Sequence, residues 1–597
     1  MTRWIILVAI LIAGCAALYF LQRAKSEAPI SPAPVLYLVA DTEREASRIP
    51  LVLTRISDEE ENQIGAQIAK EYGLTDLHRF DSDKSGDAEN IEHYLNTVGY
   101  LLTPQVQRQA IRYHFYLDDN PYLVNAFALP GGSIVVGRGL LNLLESEDEL
   151  AAVLGHEITH VDDRHSIERL QYELAAKKYG LGVFYQLGRP AVEIFQAGYS
   201  KEQELEADRV GLDIAVSRGY SPEGGIALMK RFEKLEAEES DPNRRAGSPI
   251  EEIAQVSVDS LGQYFQSHPA ASERLAAMQS EITSQGWAET PQRPLAIRPI
   301  FLTDQAEALD THGDFAKSIA RYKEALAATL NYVRAWHGLA EAEWRSGDAA
   351  ETAPAAWEAA RRGKDLSDWR LLSRALAVNE PRKAPADFAQ DMSWAFADDK
   401  KSDSYFASSV ELAGLQLLNG NQADATELLR TVLATGSQYS TEFRARMQRE
   451  LAWWMYRAGR LDDAAKVLED AHQSLPQESE TLLQLAWIYT DMGRQADAMQ
   501  DLGKINGSSL RNAENQAVLA VISIRTNQYS EANNTFQSAA SEDPVWMVPR
   551  WVDNNFSRST AAVIKQLQTE ELARRKKVAD ELARQKKQSE SGQHPNN

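Results

Sequence analysis

Cysteine is almost missing: the 597-residue chain has only Cys15. An intrachain disulfide is therefore excluded. Positive charge is also short, with 63 basic residues against 86 acidic ones and a formal net charge of -23. Such a surface repels nucleic acid and removes that class of partner. Beyond the N-terminus no apolar run is long enough to span a bilayer, which excludes a multi-spanning protein. Histidine is scarce, with 11 in the chain, so two of them close together draw notice. What is present is a globular composition, 44% hydrophobic and 25% charged. The length predicts two or three domains.

The single long apolar run lies at the start. Arg3 precedes an uncharged stretch from Trp4 to Leu21, which ends before Gln22, Arg23 and Lys25. Residues 1–25 read as a signal peptide or a membrane anchor. Ile12-Ala13-Gly14-Cys15 resembles a bacterial lipoprotein box, yet the apolar run continues past Cys15 through AALYFL. Cleaved signal, uncleaved anchor and lipoprotein stay open. All three place residues 35 onward outside the cytoplasm. Residues 26–49 form a linker that begins with the Pro-rich SEAPISPAP.

Residues 50–290 mix helix and strand signals. The spacing predicts helices over 56–74 and 89–104 and a strand over 111–119. NAFALPGGSIVVGRGLLNLL (125–144) reads as strand, turn, strand and helix. A helix over 146–165 starts at Ser146, with Glu149 completing a capping box. Another runs over 201–219 and closes at Gly219. The polar tract 236–252 reads as an exposed loop.

The 146–165 helix carries GHEITH, residues 155–160. Positions i and i+4 share a helix face, so His156 and His160 can offer ring nitrogens to one metal ion. Glu157 lies beside them as a general base toward water on that metal. The pattern predicts one zinc ion per subunit. A catalytic zinc needs a third protein ligand, and no H-x-x-G-x-x-H pattern supplies a third histidine. SKEQELEADRVGL offers Glu202, Glu204 and Glu206 instead. Glu204 and Asp208 are four apart and share a face. Glu204 can then bind the metal while Asp208 accepts a ligand histidine's ring N–H. Glu206 points away from that pair. Without the upstream motif this run would read as a solvated acidic face. His165 reads as structural. His268, in a His-Pro pair, is a candidate oxyanion donor or transient metal ligand.

From about 300 the chain is almost pure helix with an internal period. Gly313 and Gly347 are 34 apart; so are Gly459, Gly493 and Asn527, and Ala464, Ala498 and Ala532. That period is the one of tetratricopeptide helix pairs, predicted over 300–545. The stretch 365–405 breaks the phase and reads as a degenerate repeat or an insertion. Residues 560–597 form a charged tail, a solvated helix followed by disorder.

GHEITHVDDRH and SKEQELEADRVGL resemble the zinc metallopeptidases that include the CAAX prenyl proteases. NAFALPGG and SHPAASER (267–274) match the same family. The resemblance assigns zinc to His156, His160 and Glu204 and an outer role to Asp208. It also makes Asn125, Ala126, Phe127 and Ala128 a strand that borders the cleft and pairs with extended substrate. Prenyl proteases span the membrane many times and this chain does not, which favours a soluble periplasmic branch. The implied fold is α+β: a mainly helical zincin-type metallopeptidase domain with a small β-sheet, followed by an α-solenoid of repeats. The implied function is a zinc metalloendopeptidase in outer-membrane protein quality control and β-barrel assembly. Its expected partners are misassembled outer-membrane proteins and the barrel assembly machinery, the latter through the repeats. The expected place is the periplasm, with the chain free after signal cleavage, anchored to the inner membrane or lipidated at Cys15. The rival reading is a chaperone or scaffold that binds clients through its repeats and has a latent peptidase site.

Overall fold

A computed structural model describes residues 56–74, 86–168, 170–171, 199–239, 271–363, 365–397, 402–435, 439–505 and 512–591. The readings of residues 1–49, of most of the 236–252 tract and of His268 lie outside these residues. Among the described residues no helix is long and apolar enough to cross a membrane. The chain divides into two compact units, with the change at Ile297 and Arg298.

The first unit begins with α1 (Asp58–Tyr72) and α2 (Asp87–Leu102). Ser57 and Glu60 cap α1 reciprocally. Three strands follow: β1 (His114–Asp118), β2 (Ala126–Ala128) and β3 (Ser133–Gly137). Their order is β1-β3-β2, with β1 parallel and β2 antiparallel to β3. Both faces of the sheet are covered, so every residue of β3 is buried. Phe127 and Val135 pack with Ile68 and Ala69 of α1. Phe115 lies under Gly99 of α2, where a Cβ would strike its ring.

Next come α3 (Arg138–Leu143), α4 (Glu147–Asp162), α5 (Lys201–Ser217), α6 (Glu223–Glu239) and α7 (Ala271–Gln285). Residues 236–239, expected in a loop, form the last turn of α6. Ser146 caps α4, accepting from the Glu149 N–H at 3.1 Å. The reciprocal half of the expected capping box is replaced. The Glu149 carboxylate takes the Glu145 N–H at 2.8 Å and binds Arg231 at 2.7 Å. This unit extends to Ile297 because Arg293 and Pro294 pair with the start of α4. The Glu147 N–H donates to the Arg293 carbonyl at 3.0 Å.

The crossing of α4 and α5 places the site. Gly155 and Gly211 face each other, and a Cβ on either would run into the other helix's backbone. Glycine inside a helix costs about 1 kcal/mol; the close approach it permits brings the polar faces of both helices together.

The second unit is helical throughout its described residues. Helix pairs such as Arg298–Thr311 with Phe315–Ala328, and Ser479–Asp491 with Gln495–Leu502, repeat along it. The turn residue of the in-phase pairs sits in the left-handed region: Gly313 and Gly347 at φ 82° and 83°, Gly459 and Gly493 at 75° and 78°, and Asn527 at 62°. Asparagine is the side chain that best tolerates what glycine does here. Leu366–Asn379 and Ala384–Ala395 are helices, so the out-of-phase stretch is a degenerate helix pair. Ala464, Ala498 and Ala532 are fully buried where paired helices touch.

This unit closes on itself. Arg345 reaches Asp310 of its first helix at 3.0 Å and Asp543 near its far end at 2.8 Å. Gly313 abuts Pro544, and Gly347 abuts Arg550 and Trp551, so closely that a Cβ would collide. The last helix, Arg558–Ser591, packs through Ala561, Ile564 and Leu567 and is exposed over 572–585.

Candidate metal centre

Helix α4 presents His156 and His160 one turn apart, and α5 brings Glu204 against them. Nε2 of His156 lies 3.1 Å from Nε2 of His160. The Glu204 carboxylate is 3.5 Å from the first and 3.7 Å from the second. All three side chains are buried. Zinc takes such ligands at about 2.0–2.1 Å, which makes the edges of a tetrahedron about 3.3 Å. The observed separations match those edges, so the residues fit the ion.

The electrostatics agree with the geometry. Burial alone would push the His156 imidazole down, but Asp208 and Glu204 outweigh it and lift it to about 9. A pocket that stabilises positive charge on a buried ring also favours a divalent cation there. Asp208 receives His156 Nδ1 at 2.9 Å. Arg274 of α7 clamps the same carboxylate with two hydrogen bonds, at 2.8 and 2.5 Å. Burial would raise Asp208; the Arg274 guanidinium outweighs it and holds the carboxyl at about 2. His156 thus has a permanently charged acceptor behind it, which fixes the ring with Nε2 toward the metal.

Glu157 is buried beside His156. Burial raises its carboxyl to about 7, with the Glu204 charge adding and the His156 and Arg274 charges opposing. The Ala128 backbone N–H supports its ionised form. A base poised near neutrality suits proton transfer to and from water.

The expected substrate strand has a different setting. β2 is an edge strand, but Asn125, Ala126, Phe127 and Ala128 are all buried. The Leu129 N–H donates to Ser133 and the Gly137 N–H to Asn125, so the odd positions face β3. Ala126 and Ala128 therefore turn their backbone groups to the outer edge. There the Tyr199 hydroxyl donates to the Ala128 carbonyl at 3.4 Å. The Tyr199 ring also stacks on His160 at 3.8 Å and 16°. Beside His156 and Glu157 a mostly apolar pocket, lined by Leu140, Leu212 and Phe232 among others, holds about 20 Å³. That is room for a water.

The structure thus brings His156, Glu157, His160, Glu204 and Asp208 together. Sequence reasoning missed three contributors. Arg274 lies inside the SHPAASER motif, where its charge was the available signal. Tyr199 immediately precedes the Ser200 cap of α5 and had no local signal. The Gly155–Gly211 crossing could have been suspected from a glycine directly before His156 and another just after Asp208.

Residues 90–282 match the family model Peptidase family M48. The chain is 33% identical to the mitochondrial metalloendopeptidase OMA1 of Arabidopsis thaliana, over 26% of this chain and 29% of that protein. It is 31% identical to the beta-barrel assembly-enhancing protease of Yersinia pestis, over 27% and 35%. It is 28% identical to the metalloprotease YcaL of Escherichia coli, over 32% and 69%. The chain spans about a third of the length of the first two relatives. Residues 90–282, which hold the two histidines, Glu157 and Glu204, match Peptidase family M48 within a chain that resembles the beta-barrel assembly-enhancing proteases.

Proposed function

We propose that this chain is a zinc-dependent endopeptidase of the bacterial cell envelope, acting in outer-membrane protein quality control and β-barrel assembly. The observation that carries the peptidase reading is the buried trio His156, His160 and Glu204 with Glu157 beside it. A bound zinc ion supplies Lewis acidity, making water nucleophilic near neutral pH and polarising the scissile carbonyl. Glu157 takes the proton of the attacking water and hands it to the leaving amine. Asp208, held by Arg274, keeps His156 in its ligating orientation. The outer edge of β2 at Ala126 receives extended substrate backbone, which reads chain shape more than side chains.

The envelope and its clients are supported by the N-terminal apolar run, by the names of the bacterial relatives and by the repeats. The repeat unit holds a half-open cavity of about 960 Å³ lined by arginines such as Arg370 and Arg446, by acids such as Glu480 and Glu514, and by Trp453 and Trp487 among others. Charged and aromatic groups of this kind hold polypeptide without demanding one sequence.

A second reading, a client-binding protein with a latent peptidase site, is favoured by one observation. Tyr199 covers His160 and occupies the β2 edge. Casein cleavage separates the two. Cleavage that stops with a chelator, returns with zinc and is absent in Glu157→Gln supports the endopeptidase. An intact, zinc-loaded chain that captures unfolded clients and never cuts them supports the latent site.

A further inference from the structure

The two ligand histidines are backed by different chemistry. His156 leans on a carboxylate, whereas His160 leans on another imidazole. His160 Nδ1 faces His165 Nδ1 at 3.1 Å. The far nitrogen of His165, Nε2, lies 3.5 Å from the Glu206 carboxylate. His165 is buried, at 3% exposure, while Glu206 reaches toward solvent. Asp163 stands beside them, and Asp163, His165 and Glu206 each bring one donor atom within 4.8 Å of the others. That cluster has the composition of a second cation site.

Proton accounting decides between a second metal and a support for the first. A neutral histidine that ligates through Nε2 carries its proton on Nδ1. His160 turns Nε2 toward His156 and Glu204, so its Nδ1 is the N–H donor. His165 Nδ1 must then be the bare acceptor, which leaves the proton of neutral His165 on Nε2, directed at Glu206. A protonated nitrogen has no lone pair for a cation. Filling the first site therefore closes the second.

We infer that His165 is a positioning residue for the metal centre, fixing the tautomer and ring angle of His160, and that Glu206 in turn fixes His165. The inference rests on the metal site proposed above. The backbone supports it independently. His165 is delivered by Arg164 at φ 67°, one of two non-glycine residues in the left-handed region among those described. Such a conformation persists only where surrounding contacts hold it. Here Arg164 is held by Asp58 at 3.1 Å and by the Ile56 carbonyl at 2.5 Å. This turn folds the chain back beneath His160 immediately after α4 ends.

The test uses the full-length protein, its zinc affinity measured by competition with a chromophoric chelator and its zinc content by mass spectrometry. The parent binds one zinc ion. His165→Leu weakens binding by about 10–100-fold, the range for loss of a ligand's hydrogen-bonding partner. His165→Gln, whose amide oxygen can accept from His160, restores most of that loss. Glu206→Ala costs a few-fold. A purely structural role would make the Leu and Gln variants alike, and that outcome overturns the inference, as does parental affinity in His165→Leu. A second zinc ion that disappears with His165→Leu also overturns it. Imidazole ¹⁵N spectra of the zinc-loaded parent test it without any mutation: His160 must carry Nδ1–H and His165 Nε2–H, and the opposite tautomers refute it. A parent that binds no zinc sinks the metal site itself; zinc-loaded protein with indifferent variants sinks only this inference.

Discussion

Small residues let helices touch in both units, and each unit uses that closeness differently. Where α4 crosses α5 at Gly155 and Gly211, six ionisable groups share one buried volume: His156, Glu157, His160, Glu204, Asp208 and Arg274. In the repeats the buried alanines at 464, 498 and 532 bring apolar surfaces together, and arginines and acids in similar number line a half-open cavity apart from those contacts. Burying unlike charges together is weak evidence of stability, because desolvation opposes the attraction. Burying alanine against leucine and tryptophan is ordinary stabilisation. The contrast teaches that substitutions preserving shape should alter the chemistry of the first unit, whereas changes of volume should alter the stability of the second.

The largest expected effect tests the first half of that contrast. Glu157→Gln keeps the volume and removes the base, so casein cleavage should fall by about 10²–10⁴-fold. Zinc content by mass spectrometry should stay at the parental value. Loss of zinc with the activity would break the comparison by making Glu157 a ligand.

Next comes Arg274→Gln, which frees the Asp208 carboxylate behind His156. Zinc affinity should drop by about 10–100-fold in a chelator competition. Glu202→Gln, on the same α5 but exposed, serves as the control and should leave affinity unchanged. Equal losses from both would mean that the general acidity of α5, and not the Arg274 clamp, tunes the site.

Overpacking sharpens the other half. Ala464→Leu should cost about 1–3 kcal/mol of repeat-unit stability in a urea titration. Zinc affinity and the casein rate should hold. A fall in zinc affinity would show that the two units are coupled.

The smallest effect is electrostatic and lies in the repeats. His337 donates to Asp368 at 2.6 Å, and this partner, working against partial burial, raises the imidazole to about 9. A base whose folded value is raised stabilises the fold fully below its unfolded value near 6.5, and that contribution is lost as pH rises through about 9. Burial works the other way on Asp368 and raises its carboxyl, so the net gain is small. The urea midpoint of His337→Asn should trail the parent at pH 6 and converge with it by pH 10. A constant difference across that range would assign the effect to packing.

The sequence was most readable where one helix carries the whole pattern. The spacing of His156 and His160, and of Glu204 and Asp208, is enough to put each pair on one face, because 3.6 residues per turn is a local property. The repeat period was visible for the same reason: Gly313, Gly347 and Asn527 each report one left-handed turn. What stayed hidden depends on partners far apart in the chain. Arg274 meets Asp208 and Tyr199 meets Ala128 only after α4, α5, α7 and β2 have packed, and His165, though five residues from His160, reaches it only through the left-handed turn at Arg164. The Ser146 capping box failed for that reason too, since Arg231 of α6 competes for Glu149.

A stack of helix pairs ordinarily frays from its ends, because a terminal pair has one neighbour where an inner pair has two. The bridge from Asp310 through Arg345 to Asp543, with Pro544 and Trp551 seated on glycine turns, gives the first pairs a second neighbour. Opening any one pair then breaks two interfaces. The amides of Arg298–Thr311 should exchange as slowly as those in the middle of the array, and local opening merges with global unfolding. The repeats thus behave less like a zipper than like a hoop, which holds or gives way as a whole.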